Sequence, residues 1–219
     1  MVIQGTPNQV VQYSGKIGGA LRVFEDKVEL LVGGFNFDLN DLPEPGVVLP
    51  CGTPVNCDEA TRKIVPIITA KVASVDATDA KKVTLAKVGL NAPAVKVGMA
   101  VAILGSTLTA EYASGSYATI TAIDDDEITL SAALTGLAAD NILVEVAVNE
   151  TSGKAAIKAV PNRLLPYDVV RDKEAISVDG DGAYSSLAPV LERRCPAIND
   201  AIKKALADAG CTFKWSNRK

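Results

Sequence analysis

The sequence contains no histidine. That absence excludes Ser-His-Asp and Cys-His catalysis, imidazole acid–base chemistry and every metal site with a histidine ligand. Aromatic residues make up only 5% of the chain, with one tryptophan, which leaves little for the stacking platforms of sugar-binding and single-strand-binding surfaces. No apolar run approaches the roughly 20 residues of a membrane-spanning helix. Residues 1–5 (MVIQG) carry neither the basic nor the apolar segment of a secretory signal, so no membrane partner is expected. Net charge is -4 and the pI near 5.0. Phosphate binding needs clustered Lys and Arg, and nucleic acid is not expected as a ligand.

What is present describes a folded chain of one large or two small domains: 219 residues, 48% hydrophobic and 22% charged. The four cysteines, Cys51, Cys57, Cys195 and Cys211, are spaced too widely for the two-to-four-residue knuckles of structural zinc sites. They read as separate thiols in a reducing cytoplasm, with a four-cysteine zinc site as the alternative. No metal or other cofactor is expected.

Residues 68–155 carry the most regular pattern. Apolar and polar residues alternate over 69–75, 82–88, 117–123 and 127–131, and the runs 97–104 and 142–148 are more continuously apolar. Six short strands separated by Asp, Gly and Asn turns imply a small β-barrel or sandwich. Two motifs here invite over-reading. Asp124-Asp125-Asp126 is a hairpin tip without the rest of a calcium-ligand pattern. Gly105-Ser106-Thr107 lacks the lysine of a phosphate loop.

Either side of that region the pattern changes. Residues 1–46 read as an arm with strands over 8–13, a pair turning at Glu25-Asp26-Lys27, and a half-buried strand from Phe35 to Leu39. An arm with alternating strands and little core of its own needs a partner surface; the alternative is a hairpin folded onto its own domain. After a linker at 151–154, strands are expected over 167–170, 175–178 and 211–215. Asp179-Gly180-Asp181-Gly182 begins like a calcium loop, but Ala183, Tyr184 and Val190 occupy its later ligand, glycine and glutamate positions. Ile198, Ile202 and Leu206 fall at helical spacing, with Pro196 in the first turn and Gly210 as the stop.

The stretch 49–67, LPCGTPVNCDEATRKIVPI, reads as a hairpin. Proline and glycine shape its approach, Asp58-Glu59-Ala60 turn it, and Pro66 marks a strand end. Thr53-Pro54-Val55, Asp58 and Arg62-Lys63-Ile64 resemble the hairpin that opens the core of lambda-type phage head decoration proteins. The order after residue 155 (strand, turn, second hairpin, Lys/Ala-rich helix, last apolar strand) resembles the same family. Gly/Ala-rich β segments with a KVG turn also occur in phage head fibre proteins. The resemblance implies a mainly β fold with one C-terminal helix: a discontinuous decoration-type core (47–67 and 156–219) carrying an inserted small barrel (68–155) and preceded by the arm (1–46).

It further implies a structural, non-enzymatic protein, made in the bacterial host cytoplasm and placed on the capsid exterior of the virion. As a homotrimer it would bind and stabilise the assembled capsid, with the major capsid protein as partner. Phe35, Phe37 and Leu39 are then candidate capsid contacts, and Pro54, Val55, Ile64, Leu165, Leu206 and Trp215 candidate trimer or core residues. Two other classes stand beside this one. One is an outward-facing, lectin-like adhesion module in which the barrel meets a host-surface glycan. The other is a virion-associated hydrolase drawing a carboxylate pair from Asp124–Asp126, Glu127, Glu111 and Glu145.

Overall fold

A computed structural model describes residues 23–25, 28–31, 34–89, 91–108, 111–184 and 189–216. The expected strand over 8–13 lies outside them. In chain order the first strands are β1 (Glu29–Leu30), β2 (Phe35–Phe37), β3 (Pro54–Asp58) and β4 (Lys63–Pro66). β3 and β4 form the expected hairpin, with Cys57 opposite Ile64 and Val55 opposite Pro66. Arg62 completes its turn at a φ of 56°.

Six strands then follow the alternation of the sequence: β5 (Thr69–Val75), β6 (Lys82–Leu85), β7 (Ala100–Ile103), β8 (Tyr117–Asp124), β9 (Glu127–Leu130) and β10 (Ile142–Asn149). They pair in the order β10-β5-β6-β9-β8-β7, and β7 pairs again with β10. The ring is a closed six-stranded barrel, which removes exposed edges. Ala70, Val72, Val83, Leu85, Val101, Ala118, Ile120, Ile128, Leu130 and Leu143 fill it, two apart along each strand. The expected linker at 151–154 is instead a hairpin turn into β11 (Lys154–Ile157), which adds to the outside of β10.

The chain then returns to the first sheet through β12 (Arg163–Leu164), β13 (Val178–Gly180) and β14 (Ala183–Tyr184). The sheet order is β1-β14-β12-β3-β4-β2-β13. Two differences from the sequence expectation stand out. The strand expected over 167–170 is a single bridge, Val169 to Leu49. β13 and β14 are not partners in a hairpin: β13 pairs with β2, whereas β14 pairs with β12 and β1. Only residues 181–182 separate them, so the sheet must curl until its far strands approach one another. Glycine permits this closeness. A Cβ on Gly180 would stand 2.3 Å from the Phe37 ring, and one on Gly182 2.7 Å from Cys57 Sγ.

The C-terminal part has β15 (Pro189–Leu191) parallel to β16 (Lys214–Ser216), with helix α1 (Asp200–Asp208) between them in sequence. Asn199 caps α1 by accepting from Ile202 N at 3.0 Å. Pro196 therefore precedes the helix by a turn rather than opening it. Ile202 and Leu206 form the buried stripe. They share a cluster with Ile198, Leu164, Val190 and Phe213, and also with Ala102, Leu104, Val144 and Val146 on the outer wall of the barrel. A second cluster joins the barrel interior to Phe35, Phe37, Leu49, Val55, Ile64 and Leu165. The barrel is thus nested between β4 and β12 in the chain yet packed against both the curled sheet and α1.

Candidate functional site

The residues singled out from the sequence divide sharply by exposure. Val55, Ile64, Leu165 and Leu206 are fully buried within the chain, and Pro54 is buried at the start of β3. Each is a core residue with no surface left for a neighbouring subunit. Trp215 is half-buried on β16, edge-on to Phe213 at 5.9 Å and beneath Lys203 Nζ at 5.4 Å. It alone of that set can also face a partner. Phe35 and Phe37 sit in the core of the curled sheet, 0% and 5% exposed, while Leu39 is partly buried against the same cluster. Their alternation places both rings inward, and β4 and β13 cover the strand on both sides. Residues 35–39 therefore follow the self-packed alternative, and these two rings offer a capsid nothing to touch.

The exposed apolar groups lie elsewhere. On the part that carries the curled sheet they are Leu30, Val160, Tyr167, Val170 and Ile176, the last 95% exposed. Among the described residues β1 and β13 end that sheet, so there each presents one row of backbone donors and acceptors without a ladder partner in it. Tyr167 donates to Asp181 Oδ2 at 2.9 Å. Burial and that carboxylate together hold its phenol far above the usual range, so it remains a neutral donor.

A charged cluster marks the junction of barrel and sheet. Lys158 Nζ lies 2.7 Å from both Asp41 Oδ1 and Glu145 Oε1. Lys96 Nζ donates to the carbonyls of Asn40 and Leu42, and Arg171 Nε donates to that of Pro43 at 2.9 Å. Cations from three parts of the chain thus hold one loop, 38–46. Glu145 comes from the β10 run ILVEVAV, where it is the only charged residue. It is 5% exposed, and among the described residues its Oε2 has no hydrogen-bond partner. Burial raises its carboxyl above the usual range against the pull of Lys158. Burial lowers Lys96, whereas in Lys158 the two carboxylates outweigh burial and raise it. A cleft of about 570 Å³ opens beside the cluster, lined in part by Asn40, Lys96, Tyr117, Glu145, Glu150 and Lys158.

These groups are engaged as clamps. Of the other carboxylates considered from the sequence, Asp125 and Asp126 lie against Lys87, Glu127 against Lys82 and Glu111 against Lys154, while Asp124 is exposed at the end of β8. The four cysteines are buried thiols. Burial pushes Cys51 and Cys57 up to about 12, and Cys195 higher still, which suppresses the nucleophilic thiolate. Among the described residues, no three of His, Cys, Asp and Glu come together to hold a metal.

Set against protein-family models, curated proteins and solved structures, the chain matches none of them. Its function has to be argued from its own residues.

Proposed function

We propose that the chain is a structural protein of a phage head, a decoration or head-fibre protein that binds the assembled capsid as a homotrimer. The observation that carries the reading is the order of elements around the hairpin β3–β4. That hairpin, β12, β13 and β14 belong to one sheet, α1 and β16 follow, and the whole barrel intervenes between β4 and β12. This follows the order that the resemblance implies except at its second hairpin, in whose place β13 and β14 pair with different strands. The engaged state of the charged groups favours a structural role over a hydrolytic one. The mechanism is multivalent: a protein that binds only the assembled shell stabilises it by mass action, and three linked contacts add far more than one.

With Phe35 and Phe37 in the core, capsid contact falls to the segment before Val23 and to the exposed apolar groups near the sheet edges. Light scattering after size exclusion should give three times the 22.8 kDa of one chain. Co-sedimentation with decoration-free heads of the phage that encodes it should show binding, weakened at least tenfold by removal of residues 1–22. A stable monomer that ignores such heads would refute the proposal.

A further inference from the structure

We propose that Lys158 and Asp41 condense into an intramolecular isopeptide bond, with Glu145 carrying the protons. The three groups already meet. Lys158 Nζ lies 2.7 Å from Asp41 Oδ1 and 2.7 Å from Glu145 Oε1. Asp41 Cγ is one bond beyond Oδ1, close to the roughly 3–3.5 Å separation of a near-attack arrangement. Among the described residues, no other lysine has two carboxylates at that distance. The other close pairs also differ in setting. Lys71–Asp140, Lys87–Asp125, Lys154–Glu111 and Lys204–Asp208 are exposed on both sides, so water surrounds their carboxylates. Lys203–Glu192 is as sheltered as Lys158–Asp41, but its second acid, Asp200, is exposed and 3.8 Å away.

Each partner is held by a different part of the fold. Glu145 is fixed on β10 between the buried Val144 and Val146. Lys158 directly follows β11. Asp41 sits on the loop 38–46 beside the buried Leu42, and Lys96 and Arg171 fasten that loop through the carbonyls of Asn40, Leu42 and Pro43. Condensation of a free amine with a free carboxylate is unfavourable in water. Effective molarities of about 10⁵–10⁸ M for partners oriented in this way reverse the balance.

Burial opposes the charge of Lys158, but the two carboxylates keep it an ammonium, so a proton must leave before nitrogen can attack. Glu145 is placed to take it. Burial raises its carboxyl, and its Oε2 has no bond to give up among the described residues when the proton arrives. The freed lone pair of Nζ attacks Asp41 Cγ. Glu145 hands its proton to one Asp41 oxygen, then moves a second proton from nitrogen to the same oxygen, which leaves as water as its bond to carbon breaks. The third proton remains as the amide N–H. One ammonium and one carboxylate thus become one amide and one water, Glu145 ends as it began, and no oxidant or other reactant is needed. The adjoining cleft, lined by Glu145 and Lys158, receives the water. Because the ammonium is the resting form, the reaction is slow: fresh protein holds the ion pair, and the bond accumulates. The chemistry is independent of the role proposed above. It joins residues 117 apart in sequence and fastens the loop before β3 to the chain that leaves the barrel.

The test is to incubate the freshly purified full chain at physiological temperature and neutral pH for several days, and to follow its intact mass under denaturing conditions. The mass should fall by one water. Tandem mass spectrometry of a digest should find a branched peptide joining Asp41 to Lys158, and the thermal midpoint should rise by about 10 °C as the linked fraction grows. Lys158→Arg keeps the charge without the nucleophile and should stay at full mass. Asp41→Ala, at the more exposed end of the cluster, should do the same. Glu145→Gln keeps the shape and removes the proton carrier, and should slow linkage at least 100-fold, about the lower limit for a general acid–base. Folded wild-type protein that never loses water would overturn the proposal. So would a loss mapped to succinimide at Asp179-Gly180 or Asp181-Gly182, to Lys203–Glu192, or to a bond between Lys158 and Glu145 itself. A folded Glu145→Gln variant that links at the wild-type rate would overturn the relay.

Discussion

Replacing Lys158 with methionine isolates the junction between barrel and sheet. Methionine keeps the length of the apolar stem and removes the charge, so packing changes little. What remains is Asp41, 23% exposed, and Glu145, 5% exposed, without the ammonium that lies 2.7 Å from each. Breaking a fully buried pair costs about 3–5 kcal/mol, and the partial exposure of Lys158 and Asp41 reduces this to about 2–3 kcal/mol at neutral pH. The pH dependence is the sharper part. In the native protein Glu145 titrates above the ordinary 4.5 because it is buried, and without Lys158 it must rise further. A raised carboxyl contributes stability that is fully present below its unfolded value and is lost as pH climbs through its folded one. The variant's deficit should therefore be largest near pH 7 and shrink toward pH 5, as Glu145 takes up a proton. Urea unfolding of both proteins at the two pH values reads this directly. A deficit below about 0.5 kcal/mol at pH 7, or one that grows on acidification, would refute the clamp.

Two further expectations concern packing. Leu206 is fully buried on α1, so Leu206→Ala should cost about 3 kcal/mol in urea unfolding, and Leu206→Asp should leave no folded protein; a folded, soluble Asp variant would remove α1 from the core. Excising residues 69–149 behind a short Gly/Ser linker should yield a chain without cooperative unfolding by circular dichroism, because it strips Ala102, Leu104, Val144 and Val146 from the face of α1. A sequence reading of the barrel as a mere insertion leads to the opposite result, a folded core, and that outcome would show the shared packing to be dispensable.

The barrel was the most legible part of this chain. Its strands run four to eight residues, long enough for apolar and polar positions to alternate visibly, and all six fall within a few residues of the pattern. The curled sheet was much less so. Strands of two or three residues carry no readable period, and their partners come from the far side of the barrel in the sequence. Phe35-Asn36-Phe37 was readable as a half-buried strand, but nothing local said which surface would bury it. The helix stripe gave Ile202 and Leu206, yet Asn199 as cap was missed because Pro196 looked like a first turn. A lone glutamate in ILVEVAV was a signal in itself, since an acid there must find a cation; Lys158 and Asp41 could not be identified without the fold.

The nesting of the barrel has a consequence for how the protein is made. When Pro66 leaves the ribosome, β3 has its hairpin partner but not β12, which follows roughly 100 residues later. At about 5–20 residues per second that interval is on the order of 10 s. During it the open flank of the hairpin, and the apolar faces that later cover one another, stand uncovered while the barrel is completed beside them. Early ordering of the barrel would give those faces a surface to rest on, and slow translation through 69–149 would lengthen the exposure.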